Sequence, residues 1–268
     1  MKVALGQMLA TTDKAENLAR IRSMVEEAGA EGADLVVFPE ACMVWVEPGQ
    51  SFAPQAEPLD GPFVTGLREV ARQAELALVA GVVESIPGSS RAYNSVVAID
   101  AGGALLGAYH KIHMFDAFGY RESDQNEPGD GDLLLFQVAG MRVGVATCYD
   151  VRFPELYRAL AERGADVIAQ PSSWAPGPLK EFHWNTLVRA RALENTVYVA
   201  AVDQLRSAGS MIVDPMGVAI AVRGEIEGLV IAEVTRERIA EVRRALPSLS
   251  HVRHDVYDRW REATLALG

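Results

Sequence analysis

The sequence predicts an α/β protein, a sandwich of two mixed sheets with helices outside, built from two related halves. Two observations carry this. Strand-like runs alternate with helical periodicity through most of the 268 residues. An internal repeat accompanies them. Met1-Lys2-Val3-Ala4-Leu5-Gly6-Gln7 is echoed by Met141-Arg142-Val143-Gly144-Val145-Ala146-Thr147, and Gly32-Ala33-Asp34-Leu35-Val36-Val37-Phe38-Pro39 by Gly164-Ala165-Asp166-Val167-Ile168-Ala169-Gln170-Pro171. Order is kept, with one connection shorter, as expected of a duplicated unit rather than of shared composition.

Each element follows from its own pattern. Val3–Met8 reads as a strand, and Lys14–Ala30 as a helix, with Leu18, Ile21, Met24, Val25 and Ala28 at helical spacing after a Thr12 or Asp13 cap. Leu35–Phe38 is a buried strand stopped by Pro39, and Pro62–Glu75 a helix. Leu76–Val83, Asn94–Ile99 and Ala104–His110 are strands, the last two joined by a Gly102-Gly103 hairpin turn. Leu133–Val138 and Arg142–Thr147 form a second hairpin about Gly140. Phe153–Arg163 is helical, Val167–Gln170 a strand, and Leu179–Glu194 a long helix. Four strands follow, Val197–Val202, Ser210–Val213, Val218–Val222 and Leu229–Glu233, then the helix Arg236–Ala245. Residues 1–246 form one domain, and 247–268 a polar tail whose Val256 and Trp260 share one side of a short helix.

Composition narrows the function classes. Hydrophobic residues are 49% and charged residues 23%, and the chain is long enough to bury a core without disulfide or metal support. A net charge of −11 argues against nucleic acid or an anionic membrane as partner. The longest apolar stretch, Leu76–Val83, is far too short to span a bilayer, and the start lacks the pattern of a secretory leader. Two cysteines are too few for a disulfide framework and fit a reducing, cytoplasmic setting. The expected partner is therefore a small molecule.

Open α/β sheets carry chemistry at the carboxyl ends of their strands. Cys148 ends the Arg142–Thr147 strand at a bend before a helix, where a thiol faces a crevice and backbone N–H groups face a developing oxyanion. Its other reading is a small buried hydrophobe, which is the reading given to Cys42. Glu40 follows Phe38-Pro39, where partial dehydration is expected to raise its proton affinity and suit it to proton transfer. Lys111 ends the Ala104–His110 strand. His110 and His113 lack further ligands, so no metal is expected. Phosphate-loop and dinucleotide glycine patterns and the Gly-x-Ser-x-Gly elbow are absent, so no cofactor is expected.

Together, Val36-Val37-Phe38-Pro39-Glu40, Tyr109-His110-Lys111-Ile112-His113 and Ala146-Thr147-Cys148-Tyr149-Asp150-Val151-Arg152-Phe153-Pro154-Glu155 resemble the glutamate, lysine and cysteine motifs of the carbon–nitrogen hydrolase (nitrilase) superfamily, in the family's order. The likeness continues through Ser210–Gly217 and so covers nearly the whole chain. It implies the four-layer αββα sandwich, with Glu40 as general base, Lys111 as electrostatic stabiliser, Cys148 as nucleophile, and Glu122 beside the lysine. Residues His110–Asp116, Tyr120–Ser123 and Trp184–Tyr198 resemble the omega-amidase and deaminated-glutathione-amidase branch. That branch implies hydrolysis of a small carboxylated amide through a thioester, with a nitrile or N-carbamoyl substrate as the sister reading. A catalytically silent interaction module or a thiol redox sensor is the reading of another class.

Expected substrate contacts are the Tyr149 N–H, Arg152 as a carboxylate fork or a structural ion pair, Trp174 as a pocket wall or core residue, and His183. Between Gln204 and Ser210 the chain carries only Leu205-Arg206-Ser207-Ala208-Gly209, where the family usually has a longer glycine-rich loop. The resemblance also implies that the tail docks on a second subunit, giving a homodimer; packing on its own chain is the alternative.

Overall fold

The computed structural model describes residues 1–46, 50–205 and 208–265. Its strands are β1 (Lys2–Gln7), β2 (Leu35–Val37), β3 (Ala77–Ser85), β4 (Ala92–Ile99), β5 (Leu105–His110), β6 (Asp116–Ala117), β7 (Tyr120–Arg121), β8 (Asn126–Glu127), β9 (Leu135–Val138), β10 (Met141–Val145), β11 (Val167–Ser172), β12 (Tyr198–Asp203), β13 (Ser210–Val213), β14 (Ala219–Arg223) and β15 (Gly228–Glu233). The helices are α1 (Lys14–Ala30), α2 (Pro62–Ala74), α3 (Pro154–Glu162), α4 (Lys180–Asn195), α5 (Arg236–Ala245) and α6 (His254–Leu265). The long elements fall where periodicity places them, within a residue or two at most ends. The short strands β6, β7 and β8 were not anticipated, because two residues carry no alternation to read.

The repeat governs the topology. One sheet runs β15-β1-β2-β3-β4-β5, with β8 against β4; the other runs β9-β10-β11-β12-β13-β14. Each strand of one order corresponds to a strand of the other, parallel and antiparallel pairings included. Even the ladder irregularities match, between Ala98 and Ile99 in β4 and between Ile212 and Val213 in β13.

The repeated sequence makes repeated contacts. Asp34 accepts from the Lys2 N–H at 2.7 Å and donates its own N–H to the Lys2 carbonyl at 2.8 Å. Asp166 does the same with Arg142, at 2.9 and 2.8 Å. The basic side chains complete the correspondence. Lys2 donates to the Glu31 carbonyl after α1, and Arg142 to the Arg163 carbonyl after α3. Both satisfy carbonyls that a helix end leaves open.

Strand alternation then sorts the layers. Val3, Leu5, Leu35 and Val37 face inward and pack in one cluster with Val143, Val145, Val167 and Ala169 of the other sheet. Ala4, Val36 and Leu78 face outward against Ile21 and Val25 of α1 and Leu67 and Val70 of α2. Leu156 and Leu160 of α3 and Val188 and Ala192 of α4 cover the second sheet. The result is the expected αββα sandwich. Because β1–β3 lie against β11 and β12, the carboxyl ends of β2 and β10 open toward one place.

Beyond α5, residues 248–251 turn against α4, and His254 of α6 meets Glu162 of α3 at 3.1 Å. Tyr257 and Trp260 are exposed. In the shortened loop, Arg206 and Ser207 lie outside the described residues. Among those described, no helix is long and apolar enough to cross a membrane.

One close approach fixes the turn after β2. A Cβ on Gly81 of β3 would stand 2.5 Å from Glu40 Cα and 2.6 Å from both the Ala41 nitrogen and the Pro39 oxygen. These are backbone atoms that cannot swing aside. Gly81→Ala is therefore expected to destabilise the fold by about 1–3 kcal/mol, the range for overpacking. A lower midpoint in thermal or urea unfolding checks this, and an unchanged midpoint would contradict the register.

Candidate active site

Four side chains meet at the carboxyl end of the first sheet and its counterpart. Glu40 sits in the turn after β2, where Ala41 takes a left-handed φ of 51°. Lys111 follows β5, Cys148 follows β10, and Glu122 begins a single 3₁₀ turn after β7. All four are buried.

Lys111 is shared between the two carboxylates. Its Nζ donates to Glu40 Oε1 at 3.0 Å and to Glu122 Oε1 and Oε2 at 3.1 and 2.8 Å. Asn94 of β4 bridges the same pair, its Nδ2 lying 2.8 Å from Glu40 Oε1 and 3.0 Å from Glu122 Oε1. The remaining acceptor sites are filled. Glu40 Oε2 takes the Ser173 N–H at 2.8 Å, and Glu122 takes the Phe115 N–H at 2.8 Å and Asn126 Nδ2 at 3.3 Å. The Glu40 main chain is also held, its carbonyl accepting from Gln204 Nε2 at 2.7 Å.

Cys148 starts a 3₁₀ turn with φ of +43°, a conformation that costs an L-residue on the order of 1–2 kcal/mol. Its surroundings hold it there. Asp150 accepts from the Thr147 N–H at 2.9 Å and from the Tyr109 hydroxyl at 2.7 Å, and pairs with His113 Nδ1 at 2.7 Å. Gln170 Nε2 donates to the Cys148 carbonyl at 3.2 Å. The thiol and the Glu40 carboxyl are close enough that each acts on the other's proton affinity.

These contacts set the protonation states. Burial alone would raise Glu40, but the Lys111 charge and the hydrogen bonds from Cys148, Asn94 and Lys111 outweigh it and hold the carboxyl below its ordinary value. This corrects the sequence expectation of a raised carboxyl: dehydration is the largest single influence, as foreseen, but the Lys111 cation 3.0 Å away and the hydrogen bonds around the carboxylate together outweigh it. Burial would lower Lys111, yet Glu122 and Glu40 push it well above the lysine range. Burial, and then the Glu40 charge, push the Cys148 thiol well up. At neutral pH the site holds an ionised base, a charged lysine and a neutral thiol. Cys42 is fully buried, donates to the Gly81 carbonyl at 3.3 Å, and is pushed up to about 12 by burial; it is structural.

Glu40, Lys111, Glu122 and Cys148 line one end of a cavity of about 460 Å³, whose other walls are largely apolar. Of the expected substrate contacts, Trp174 lines it. Tyr149, Arg152 and His183 are not among its wall residues. The Tyr149 ring packs edge-on against Phe115 and Phe153, and Arg152 lies 3.3 Å from His183 Nδ1 and over the faces of Trp174 and Tyr149. The reading of Arg152 as a carboxylate fork in the pocket is thus not what its placement favours. Asn94 and Lys180 belong to the cavity wall and were missed from sequence, since neither sits in a motif that marks it. Among the described residues, no group of three or more His, Cys, Asp or Glu is placed to hold a metal.

The chain is similar to known proteins along its length. The carbon-nitrogen hydrolase family profile matches residues 2–244. Deaminated glutathione amidase of Escherichia coli O157:H7 is 38% identical over 258 residues, 94% of this chain and 97% of that protein. Omega-amidase NIT2 of Xenopus tropicalis is 34% identical, covering 96% of each. Among solved structures, a glutamate-to-glutamine variant of the amidase from Nesterenkonia sp. AN1, showing covalent addition of the acetamide moiety of fluoroacetamide at its active-site cysteine, superposes with a TM-score of 0.83. It is 26% identical, covering 97% of this chain and 96% of that one.

The buried Glu40–Lys111–Glu122 set predicts a large stability effect. Glu122→Gln removes one anion and leaves Lys111 with Glu40 alone. The Lys111 charge stays balanced by Glu40, so the cost is that of charge-assisted hydrogen bonds lost, roughly 1.5–3 kcal/mol. Urea unfolding is expected to show a loss of that order, and no loss would mean that the ammonium is solvated.

Proposed function

The chain belongs to the carbon–nitrogen hydrolase family, and we propose that it is an amidase that hydrolyses a small carboxylated amide to its acid and ammonia through a thioester on Cys148. The observation that carries this reading is the convergence of Cys148, Glu40 and Lys111 at one end of a single cavity.

The protonation states dictate the order of events. The thiol is neutral, so attack on the amide carbonyl proceeds as Glu40 takes the sulfur's proton. The carbonyl oxygen gains the negative charge, and the Lys111 ammonium stabilises it, such a donor being worth about 3 kcal/mol. The C–N bond then breaks, and Glu40 returns its proton to the departing nitrogen, which leaves as ammonia. A thioester remains. Glu40 next takes a proton from water as the oxygen attacks the thioester carbon. The C–S bond breaks, the acid leaves, and the proton returns to sulfur. Glu122 acts through Lys111, holding the ammonium charged and in place. Similarity to the deaminated glutathione amidase and the omega-amidase supports a substrate carrying a carboxylate. The exposed Tyr257 and Trp260 of α6 support the further reading that the tail docks on a second copy of the chain.

Cys148→Ala is expected to abolish ammonia release from amides while the unfolding midpoint stays near that of the parent. Retained hydrolysis would overturn the nucleophile assignment. Assay of the parent with an amide, the matching nitrile and the matching N-carbamoyl compound separates the sister reactions, the last being the one that yields carbon dioxide with ammonia.

The pH profile carries a second test. Glu40 must be ionised to act, and its carboxyl lies below the ordinary 4.5. The acid limb of kcat/KM is therefore expected below pH 4.5, with activity lost as pH falls through the folded value. Stability follows the same sign: a depressed carboxylate stabilises the fold above its unfolded pKa and ceases to do so as pH falls. The raised thiol predicts no rise in rate through the neutral range. An inflection near neutrality would show a thiolate as the attacking form.

A further inference from the structure

We propose that Lys180 is the residue that recognises the anionic end of the substrate, making this cavity selective for amides that carry a carboxylate; the inference rests on the amidase reading and assigns its specificity. Lys180 is the first residue of α4, after the turn Ala175-Pro176-Gly177-Pro178-Leu179. It lines the same cavity as Cys148 and is only 3% exposed. Its Nζ lies 3.9 Å from the Trp174 ring centroid, 4.9 Å from that of Phe115 and 5.5 Å from that of Phe118.

Three aromatic faces attract an ammonium but accept none of its N–H bonds in the way a carboxylate does. Among the described residues, no carboxylate forms an ion pair with it and no acceptor takes a hydrogen bond from its Nζ. Burial lowers its proton affinity and the Arg152 charge adds to that, while a negative sulfur at Cys148 and the Asp203 carboxylate, too far to pair with it, act the other way without restoring it. The helix adds to the imbalance, because a cation at the amino end of α4 faces the positive end of the helix dipole. Such a group is poised for an anion that is not part of the protein.

Among the described residues, the other cation of the cavity wall is Lys111, already bonded to Glu40 and Glu122. Arg152 pairs with His183 and does not line the cavity. The position of Lys180 is fixed rather than adaptable. Its carbonyl accepts from Trp174 Nε1 at 2.8 Å, and its N–H donates to the Gly177 carbonyl at 3.1 Å. Leu179, held in the left-handed region at φ 58°, turns the chain into the helix immediately before it. The ammonium therefore stands in a built wall of the cavity that the reactive sulfur also lines.

The test compares succinamate with butyramide, its neutral counterpart of the same chain length, using the full chain and its Lys180→Met and Lys180→Arg variants. The parent is expected to favour succinamate in kcat/KM by roughly 10- to 150-fold, the span of one desolvated charge-assisted hydrogen bond. Lys180→Met is expected to erase that preference, chiefly by raising KM for succinamate, so that the two amides become alike in kcat/KM; Lys180→Arg restores part of it. The Met variant is expected to melt at or above the parent midpoint, since it removes a desolvated charge. A parent with no preference for the anion, or equal losses on both amides, overturns the proposal while leaving an amidase. If neither amide is hydrolysed, the amidase reading falls. Calorimetry with succinate then decides separately: binding that Lys180→Met abolishes keeps the anion site, and binding it leaves intact, or no binding to the parent, removes it.

Discussion

A single ammonium divided between two buried carboxylates determines how the rest of the site behaves. Lys111 could not remain charged in its sealed position without Glu122 and Glu40, and Glu40 could not remain ionised there without Lys111. The three groups carry one surplus negative charge, which falls on Glu40 and Glu122 together. That surplus keeps the neighbouring thiol protonated. A thiolate beside an already anionic pair would add like charge in a largely desolvated place, so the sulfur holds its proton until a carbon centre shares its electrons. In the proposed mechanism, Glu122 ensures that Lys111 need not choose between its structural partner and the oxyanion. When Glu40 takes the proton, its attraction for Lys111 weakens at the moment the substrate oxygen becomes negative.

The duplicated scaffold explains how these groups meet. By the sequence repeat, Glu40 corresponds to Ser172 and Cys148 to Met8. Each half thus supplies at its own strand end what the other lacks, one the acid–base group and the other the sulfur. The half without the base still participates: Ser173, next after the counterpart of Glu40, donates its N–H to that carboxylate, and Gln170, the counterpart of Phe38, holds the Cys148 carbonyl. Facing sheets bring these ends together without a long loop, which suits a centre whose geometry depends on hydrogen bonds of about 3 Å. Gly81 shows how little room remains, since the backbone carrying Glu40 lies directly on the strand beside it.

What the sequence disclosed follows a physical line. The sheets, their hairpins and the strand-end residues were legible because burial leaves a period-two signature and because duplication leaves a copy against which to read it. Asn94 was not legible: an asparagine within a strand run has no spacing that reveals two carboxylates converging on its amide. The direction of the Glu40 shift was misread because chain position reveals dehydration, whereas the cation and the hydrogen-bond donors that together outweigh it come from residues far along the chain. Arg152 was judged by its closeness in sequence to Cys148. The intervening 3₁₀ turn and helix start carry its guanidinium toward His183 and the face of Trp174 instead. The two-residue strands β6 and β7 shape the cavity mouth with Ala117, Phe118 and Tyr120, and lie below the length at which alternation can be read.

Two lysines in one cavity make the closing point. Both are almost wholly buried, and both stand at the ends of regular elements. Their proton affinities nevertheless move in opposite directions. Lys111 sits among carboxylates and is raised, while Lys180 sits among aromatic rings and is lowered. A buried cation with its counter-ions in place has little electrostatic attraction left for a distant anion. One lacking them retains nearly all of it, heightened by the low-dielectric walls around it. The carboxylates therefore surround the lysine beside Cys148, while among the described residues none pairs with Lys180. Reversing that division would leave the oxyanion without a positioned donor and the remote end of a substrate without a reason to settle. In the proposed reading, selectivity and chemistry are separated by which lysine has carboxylates beside it, a distinction that depends on the partners and not on the residue type.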